Sequence, residues 1–263
     1  VSRFKNLIKS VEIVNCSQEI SMSDIPSEVI KNKRDSSMSQ AILSVSEKNS
    51  DAVLSFGNTG ALMTFSLLMI KTLRDIRRPA IASIWPNLIG DSIILDLGAN
   101  TKLDPRFLVD NALLGSSLAS ILFKIENPSV GLLNVGTEDN KGTDEIKITS
   151  DKLKGLSDKS IINYKGFIEG NDIAKGKTNV VVTDGFTGNV ALKTAEGTAS
   201  MIQTNLRNAF NSSTFSKIGY FFSSIAINSV REKLDPRVHN CGILMGLNSL
   251  VVKCHGESEF KGV

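Results

Sequence analysis

The run VVVTDGFTGNVALKTAEG, residues 180–197, constrains the fold of this chain more than any other segment. Val180 to Thr183 is a short, β-branched run and predicts a buried strand. It stops at Asp184-Gly185, and Thr187-Gly188-Asn189 leads into Val190-Ala191-Leu192-Lys193, a helical start. A strand thus delivers a glycine-rich turn onto a helix N-terminus, where unpaired N–H groups and the positive dipole end favour an anion. Glycine there lets the backbone approach a ligand with no Cβ in the way. The expectation is a phosphate- or oxyanion-binding turn built from Asp184, Gly185, Gly188 and Asn189. A plain strand–helix connection capped by Asp184 and Asn189 would use the same residues, and this segment alone does not separate the two.

The pattern recurs. Ala52 to Ser55 predicts a strand, followed by Gly57-Asn58-Thr59-Gly60 and an apolar helix from Ala61 to Thr72. Ser92 to Leu95 ends in Asp96-Leu97-Gly98-Ala99-Asn100, and Ser129 to Asn134 ends in Gly136-Thr137-Glu138-Asp139-Asn140-Lys141-Gly142 before a charged helix. In an open α/β sheet the carboxyl ends of parallel strands share one rim, and ligands bind there. Four such turns therefore predict a single polar site of backbone amides and short side chains. None matches G-x-G-x-x-G or G-x-x-x-x-G-K-[ST], so the common nucleotide fingerprints are absent.

Bulk properties exclude several classes. A formal charge of +3 with no long basic run argues against nucleic acid. Two histidines without H-E-x-x-H give no dedicated metal site, and no cofactor is expected. Cys16, Cys241 and Cys254 are odd in number and lack C-x-x-C, which fits a reducing cytoplasm and not a disulfide or zinc scaffold. The apolar stretch at Ala61 to Ile70 is shorter than the ~20 residues a membrane span needs. With neither a linker nor a repeat, residues 1–263 read as one α/β domain.

Six blocks in order, SFGNTGAL (55–62), LDLGAN (95–100), GLLNVGTEDNKG (131–142), GFIEGNDI (166–173), DGFTGNVALKTAEGT (184–198) and MGLNSLVVKCHG (245–256), resemble the PlsX-type phosphate acyltransferases of bacterial phospholipid synthesis. The resemblance implies a three-layer α/β/α sandwich similar to the isocitrate and isopropylmalate dehydrogenases, with a mostly parallel sheet. It implies transfer of a fatty acyl group from acyl-[acyl carrier protein] to inorganic phosphate, giving acyl phosphate, by a homodimer. The chain opens on Val1 and lacks that family's first strand and the Asp-Ala-Met-Gly-Gly-Asp loop after it, so it reads as truncated at both ends.

Such chemistry needs a dianion held against an acyl carbon and an oxyanion stabilised, with no Ser-His-Asp triad. Lys141, in a glycine-flanked turn, is the expected catalytic cation, although a solvated surface lysine has the same sequence signature. Asn189 is the expected neutral donor. Gly57, Asn58, Thr59, Gly60 and Asn100 are expected to add phosphate or carbonyl contacts, with Asp184 orienting the backbone. His255 is a further candidate in the substrate site, as a proton donor to the leaving thiolate or as a structural histidine. Arg77-Arg78 could meet an acidic carrier protein or line a solvated loop. Residues 190–235 predict a helical hairpin. Phe215, Tyr220, Phe221 and Phe222 near its tip predict a contact with a membrane surface, a partner, the core or a second subunit. Alternatives from other classes are a phosphate acetyl- or butyryltransferase using acyl-CoA, a dehydrogenase of the related fold, and a non-catalytic membrane or carrier-protein scaffold.

Overall fold

Two apolar clusters, one on each face of a single sheet, organise the chain. In this computed structural model, residues 11–233 and 241–254 are described. The order along the chain is α1 (Pro26–Asn32), α2 (Ser37–Ser46), β1 (Ala52–Ser55), α3 (Thr59–Met69), β2 (Ala80–Asn87), β3 (Gly90–Leu95), α4 (Pro105–Phe123) and β4 (Ser129–Leu133). Then come α5 (Asp144–Asp158), β5 (Asn163–Ile168), α6 (Gly170–Lys175), β6 (Val180–Val182), α7 (Gly185–Asn211), α8 (Thr214–Lys233), β7 (Cys241–Met245) and β8 (Leu250–Cys254).

The eight strands lie in the order β1-β8-β7-β2-β3-β6-β4-β5. The pairs β1–β8, β3–β6, β6–β4 and β4–β5 are parallel, and β8–β7, β7–β2 and β2–β3 are antiparallel. Side chains alternate across the sheet as the strand period demands. Ile93, Leu95, Val180 and Val182 join the cluster under α4 and α5, while Ile94 and Val181 join the cluster shared with α2 and α3. All six are at most 2 % exposed, so each contributes about 1.5–3 kcal/mol of burial. The fold is therefore the expected helix-flanked, mostly parallel α/β sheet.

Strand direction corrects one expectation. Three antiparallel steps separate β8 from β3, so β1 runs opposite to β3, β6 and β4. The carboxyl end of β1 therefore lies at the other rim. Gly57, Asn58, Thr59 and Gly60 do not join the turns that follow β3, β6 and β4.

The cysteines correct another. Cys241 and Cys254 face each other across the antiparallel β7–β8 pair, with Cα atoms 4.1 Å apart, and form a disulfide. Their separation of 13 residues carries no motif; only the strand register brings them together. Helix α4 is long and apolar enough to cross a membrane by length and composition alone. Its buried stripe of Leu108, Ala112, Gly115 and Ala119 packs into the sheet, and Gly115 lets Leu95 and Val180 approach its backbone. Helices α7 and α8 form the expected hairpin, joined near the Phe210–Tyr220 ring contact at 5.3 Å.

Candidate active site

Loops after β3, β6 and β4 lie side by side at one rim, because those strands are neighbours pointing the same way. The first loop is organised by one buried carboxylate. Asp96 accepts hydrogen bonds from the backbone N–H of Ile81 (3.1 Å), Ala99 (2.9 Å) and Asn100 (2.7 Å), and from the Asn100 side-chain amide (2.9 Å). Burial pushes the Asp96 carboxyl above its ordinary value, and these four donors pull against that rise. The Asn100 amide also donates to the Pro79 carbonyl at 2.8 Å. Asn100 is buried, and its Nδ2 is committed to the protein; its Oδ1 is buried without a partner among the described residues. It braces the loop instead of offering the expected free amide to substrate.

The second loop overturns the reading of the glycine-rich turn. Helix α7 begins at Gly185, four residues before Asn189, and Asp184 is its N-cap. The Asp184 carboxylate accepts from the backbone N–H of Phe186 (2.9 Å) and Thr187 (3.0 Å) and from the Thr187 hydroxyl (2.6 Å). The Gly185 N–H donates to the Asn100 carbonyl at 2.8 Å, and the Gly188 N–H to the Asp184 carbonyl at 2.9 Å. Every amide from Gly185 to Gly188 is thus engaged, and the helix end is closed by its own cap. Asp184 does orient the backbone, as expected. A Cβ on Gly185 would lie 2.8 Å from the Asn100 carbonyl oxygen, and one on Gly188 would run into the Asp96 carbonyl oxygen. These glycines admit a neighbouring loop, not a ligand. Asn189 is not a cap. It stands exposed over Gly98, its Oδ1 3.7 Å from where a Cβ of that glycine would sit, and among the described residues no hydrogen bond engages its side chain.

The third loop presents a cation. The Asn134 amide donates to the Lys141 carbonyl at 3.2 Å, and the Lys141 N–H donates to the Glu138 carbonyl at 3.0 Å. Gly142, at φ +86°, leaves the space that the Asn134 side chain fills. The loop is tied down while the exposed Lys141 ammonium makes no ion pair among the described residues. Nearby, Lys154 pairs with Asp139 at 3.1 Å.

At the opposite rim Asn58 is buried as the N-cap of α3. It accepts from the Ala61 N–H at 3.1 Å and donates to the carbonyls of Ser21 (3.3 Å), Met22 (3.1 Å) and Asp24 (3.2 Å). Its expected substrate contact is replaced by this structural role. Gly57 and Gly60 make room for Met38 and Pro26, and Thr59 opens the helix half-buried. His255 lies outside the described residues.

Two features escaped sequence reasoning. Asp96 organises its loop, but an aspartate in a polar turn gives no sign of burial. Lys253 is half-buried at the end of β8; burial first, and then the Lys193 charge, lower its pKa. Only its place in the block around residues 245–256 marked it.

Among the described residues, the rim therefore offers a cation at Lys141, on a tied-down loop, and an uncommitted amide at Asn189, near the start of α7. That pair can neutralise an oxyanion or a phosphate and donate a hydrogen bond to it.

A family profile described as fatty acid synthesis protein matches residues 1–263. The chain is 46% identical over 263 residues to a phosphate acyltransferase of Brucella canis, covering 100% of this chain and 76% of that protein. It is 47% identical over 249 residues to a phosphate acyltransferase of Sinorhizobium medicae, covering 94% and 72%. Among solved structures, a EutD phosphotransacetylase from Staphylococcus aureus superposes with a TM-score of 0.56 at 15% identity, covering 97% of this chain and 77% of that one. A phosphotransacetylase from Streptococcus pyogenes gives 0.52 at 18% identity, covering 80% and 58%. These likenesses show a shared fold.

Proposed function

The chain belongs to the PlsX-type phosphate acyltransferase family, and from that premise we propose that it moves a fatty acyl group from acyl-[acyl carrier protein] to inorganic phosphate. The product is an acyl phosphate for phospholipid synthesis. In this reaction a phosphate oxygen attacks the thioester carbonyl carbon, the C–O bond forms, and the tetrahedral intermediate collapses with cleavage of the C–S bond. The electron pair leaves on sulfur as a thiolate, which takes a proton from solvent. Phosphate is nucleophilic at neutral pH, so the protein's task is to hold two reactants together and stabilise the oxyanion. Lys141 balances the phosphate charge, and Asn189 donates its amide N–H to phosphate or to the carbonyl oxygen.

The observation that carries this reading is that, among the described residues, Lys141 in the loop after β4 and Asn189 near the start of α7, which follows the neighbouring strand β6, both leave their polar groups unengaged. It supports an anion site without a helix-end cradle. A homodimer and a peripheral membrane contact belong to the same proposal. Phe215, Phe221 and Phe222 are 87, 75 and 79 % exposed on α8, a face suited to a lipid surface or a second subunit. Tyr220, also exposed, touches the Phe210 ring of α7.

Incubating the protein with acyl-[acyl carrier protein] and inorganic phosphate, with mass detection of acyl phosphate, tests the proposal. Product with the carrier thioester and none with acetyl- or butyryl-CoA supports it. The reverse preference would make the protein a short-chain acyl-CoA enzyme, and no product from either donor would leave the scaffold reading.

A further inference from the structure

Residues 71–78, KTLRDIRR, carry Lys71, Arg74, Arg77 and Arg78 against the single acid Asp75, a net charge of 4 − 1 = +3, equal to that of the whole chain. The segment links α3 to β2 and lies at the rim described above. It borders the candidate site through two anchors. The Asn100 amide holds the Pro79 carbonyl at 2.8 Å, and Lys102 follows two residues after Asn100. On the other side, the Asn248 amide donates to the carbonyls of Ile70 (3.3 Å), Lys71 (3.4 Å) and Thr72 (2.9 Å), and the Leu73 N–H donates to the Gly246 carbonyl at 2.9 Å. The backbone is thereby fixed while the charged ends point to solvent.

Not all of this charge is free. Arg77 faces Asp104 and Asp110: hydrogen bonds from Arg106 hold the Asp104 carboxyl below its ordinary value and the Arg77 charge adds to them, whereas burial pushes the Asp110 carboxyl up and Arg77 opposes that rise. Arg74 lies 3.8 Å from Asp75, but both are almost fully exposed, so the pair is screened and weak. Lys71, Arg78 and Lys102 are exposed and make no ion pair among the described residues. Leu73 is exposed in their midst. An exposed apolar residue in a cationic segment whose backbone is fixed, next to a site for acyl transfer, fits a particular kind of partner.

We propose that Lys71, Leu73, Arg74, Arg78 and Lys102 form the docking surface for a small acidic protein that presents the acyl thioester on an arm reaching Lys141 and Asn189. This rests on the acyl-transfer reading given above. Complementary charge steers such an encounter and sets its salt dependence, while the apolar centre supplies contact area. Docking beside the rim leaves Lys141 and Asn189 open to the arm and to phosphate.

The test compares two thioester donors of one acyl chain, acyl-[acyl carrier protein] and the uncharged acyl-pantetheine, at saturating phosphate. Arg74→Glu with Arg78→Glu should raise KM for the carrier-borne donor at least tenfold and leave kinetics with acyl-pantetheine within twofold of wild type. Wild-type KM for the carrier should rise with added salt, and that for acyl-pantetheine should not. The milder Arg74→Ser with Arg78→Ser should shift KM in the same direction, and serves if the reversal variant fails to fold. An unchanged carrier KM in a folded variant overturns the docking surface and leaves the acyl-transfer reading standing. A raised KM for phosphate, with the carrier KM unchanged, also overturns it and makes the patch an anion subsite. Failure of the wild type to form acyl phosphate from either donor overturns the acyl-transfer reading, and the docking surface with it.

Discussion

Asp184 and Asn189 lie five residues apart, one capping α7 and the other inside it, and do different work. Asp184 accepts three hydrogen bonds at the start of α7, whereas the Asn189 side chain accepts and donates none among the described residues. Asp184→Ala should therefore lose about 1 kcal/mol of stability in denaturant unfolding, the usual value of an N-cap. Asn189→Ala should leave stability unchanged and lower turnover roughly tenfold to a thousandfold, the range for a lost transition-state contact. Lys141→Ala should lower turnover over the same range without moving the melting temperature, since the ammonium is exposed. Wild-type turnover for Lys141→Ala at both low and saturating phosphate would remove that residue from the mechanism. Lys141 and Asn189, the residues expected from sequence to act on substrate, are both exposed, Lys141 in the loop after β4 and Asn189 near the start of α7. Sequence alone misassigned Asn58 and Asn100, because asparagine serves equally as a cap, a loop brace or a ligand donor. Only burial and partners separate those roles.

The β6–α7 element shows why the glycine-rich turn misled. Gly185 and Gly188 read as turn residues by propensity, yet both are helical and buried. Tertiary docking of α7 on the Asp96–Asn100 loop overrides propensity, since the helix backbone must come within contact of that loop. Gly188→Ala should thus cost about 1–3 kcal/mol by forcing the helix away from the Asp96 carbonyl. Gly197, further along the same helix, has open space around it, and Gly197→Ala should gain about 0.5–1 kcal/mol. Chemical denaturation of the two variants side by side checks both signs. Several strands were legible, because β-branched runs such as Val180–Val182 have no competing helical period, whereas β2, β5 and β7 were not expected. Strand directions were not legible. Nothing in residues 52–60 shows that three antiparallel steps turn β1 against β3, and that inversion removed one turn from the expected rim. The Cys241–Cys254 disulfide escaped for the same reason, being a consequence of β7–β8 register.

At the scale of the whole molecule, one sheet carries a polar rim with a fixed basic segment beside it, and an apolar hairpin projects from the same helix that bears Asn189. Exposure of Phe221 and Phe222 rules them out of this chain's core, and the proposal assigns them to a lipid surface or a second subunit. Phe221→Ser with Phe222→Ser should reduce flotation with anionic liposomes and leave turnover with soluble substrates near wild type. Dissociation of a dimer by the same variant, with flotation unchanged, would assign the face to a second subunit. A buried CH₂ contributes about 0.8 kcal/mol, so two rings support reversible attachment and no more. The central claim is that phosphate itself is the acyl acceptor. The most direct measurement supplies oxygen-18-labelled phosphate with acyl-[acyl carrier protein] and weighs the product by mass spectrometry. Acyl phosphate carrying the full phosphate label, formed together with free carrier thiol, is the predicted result. Release of unlabelled fatty acid with no labelled acyl phosphate would contradict the account.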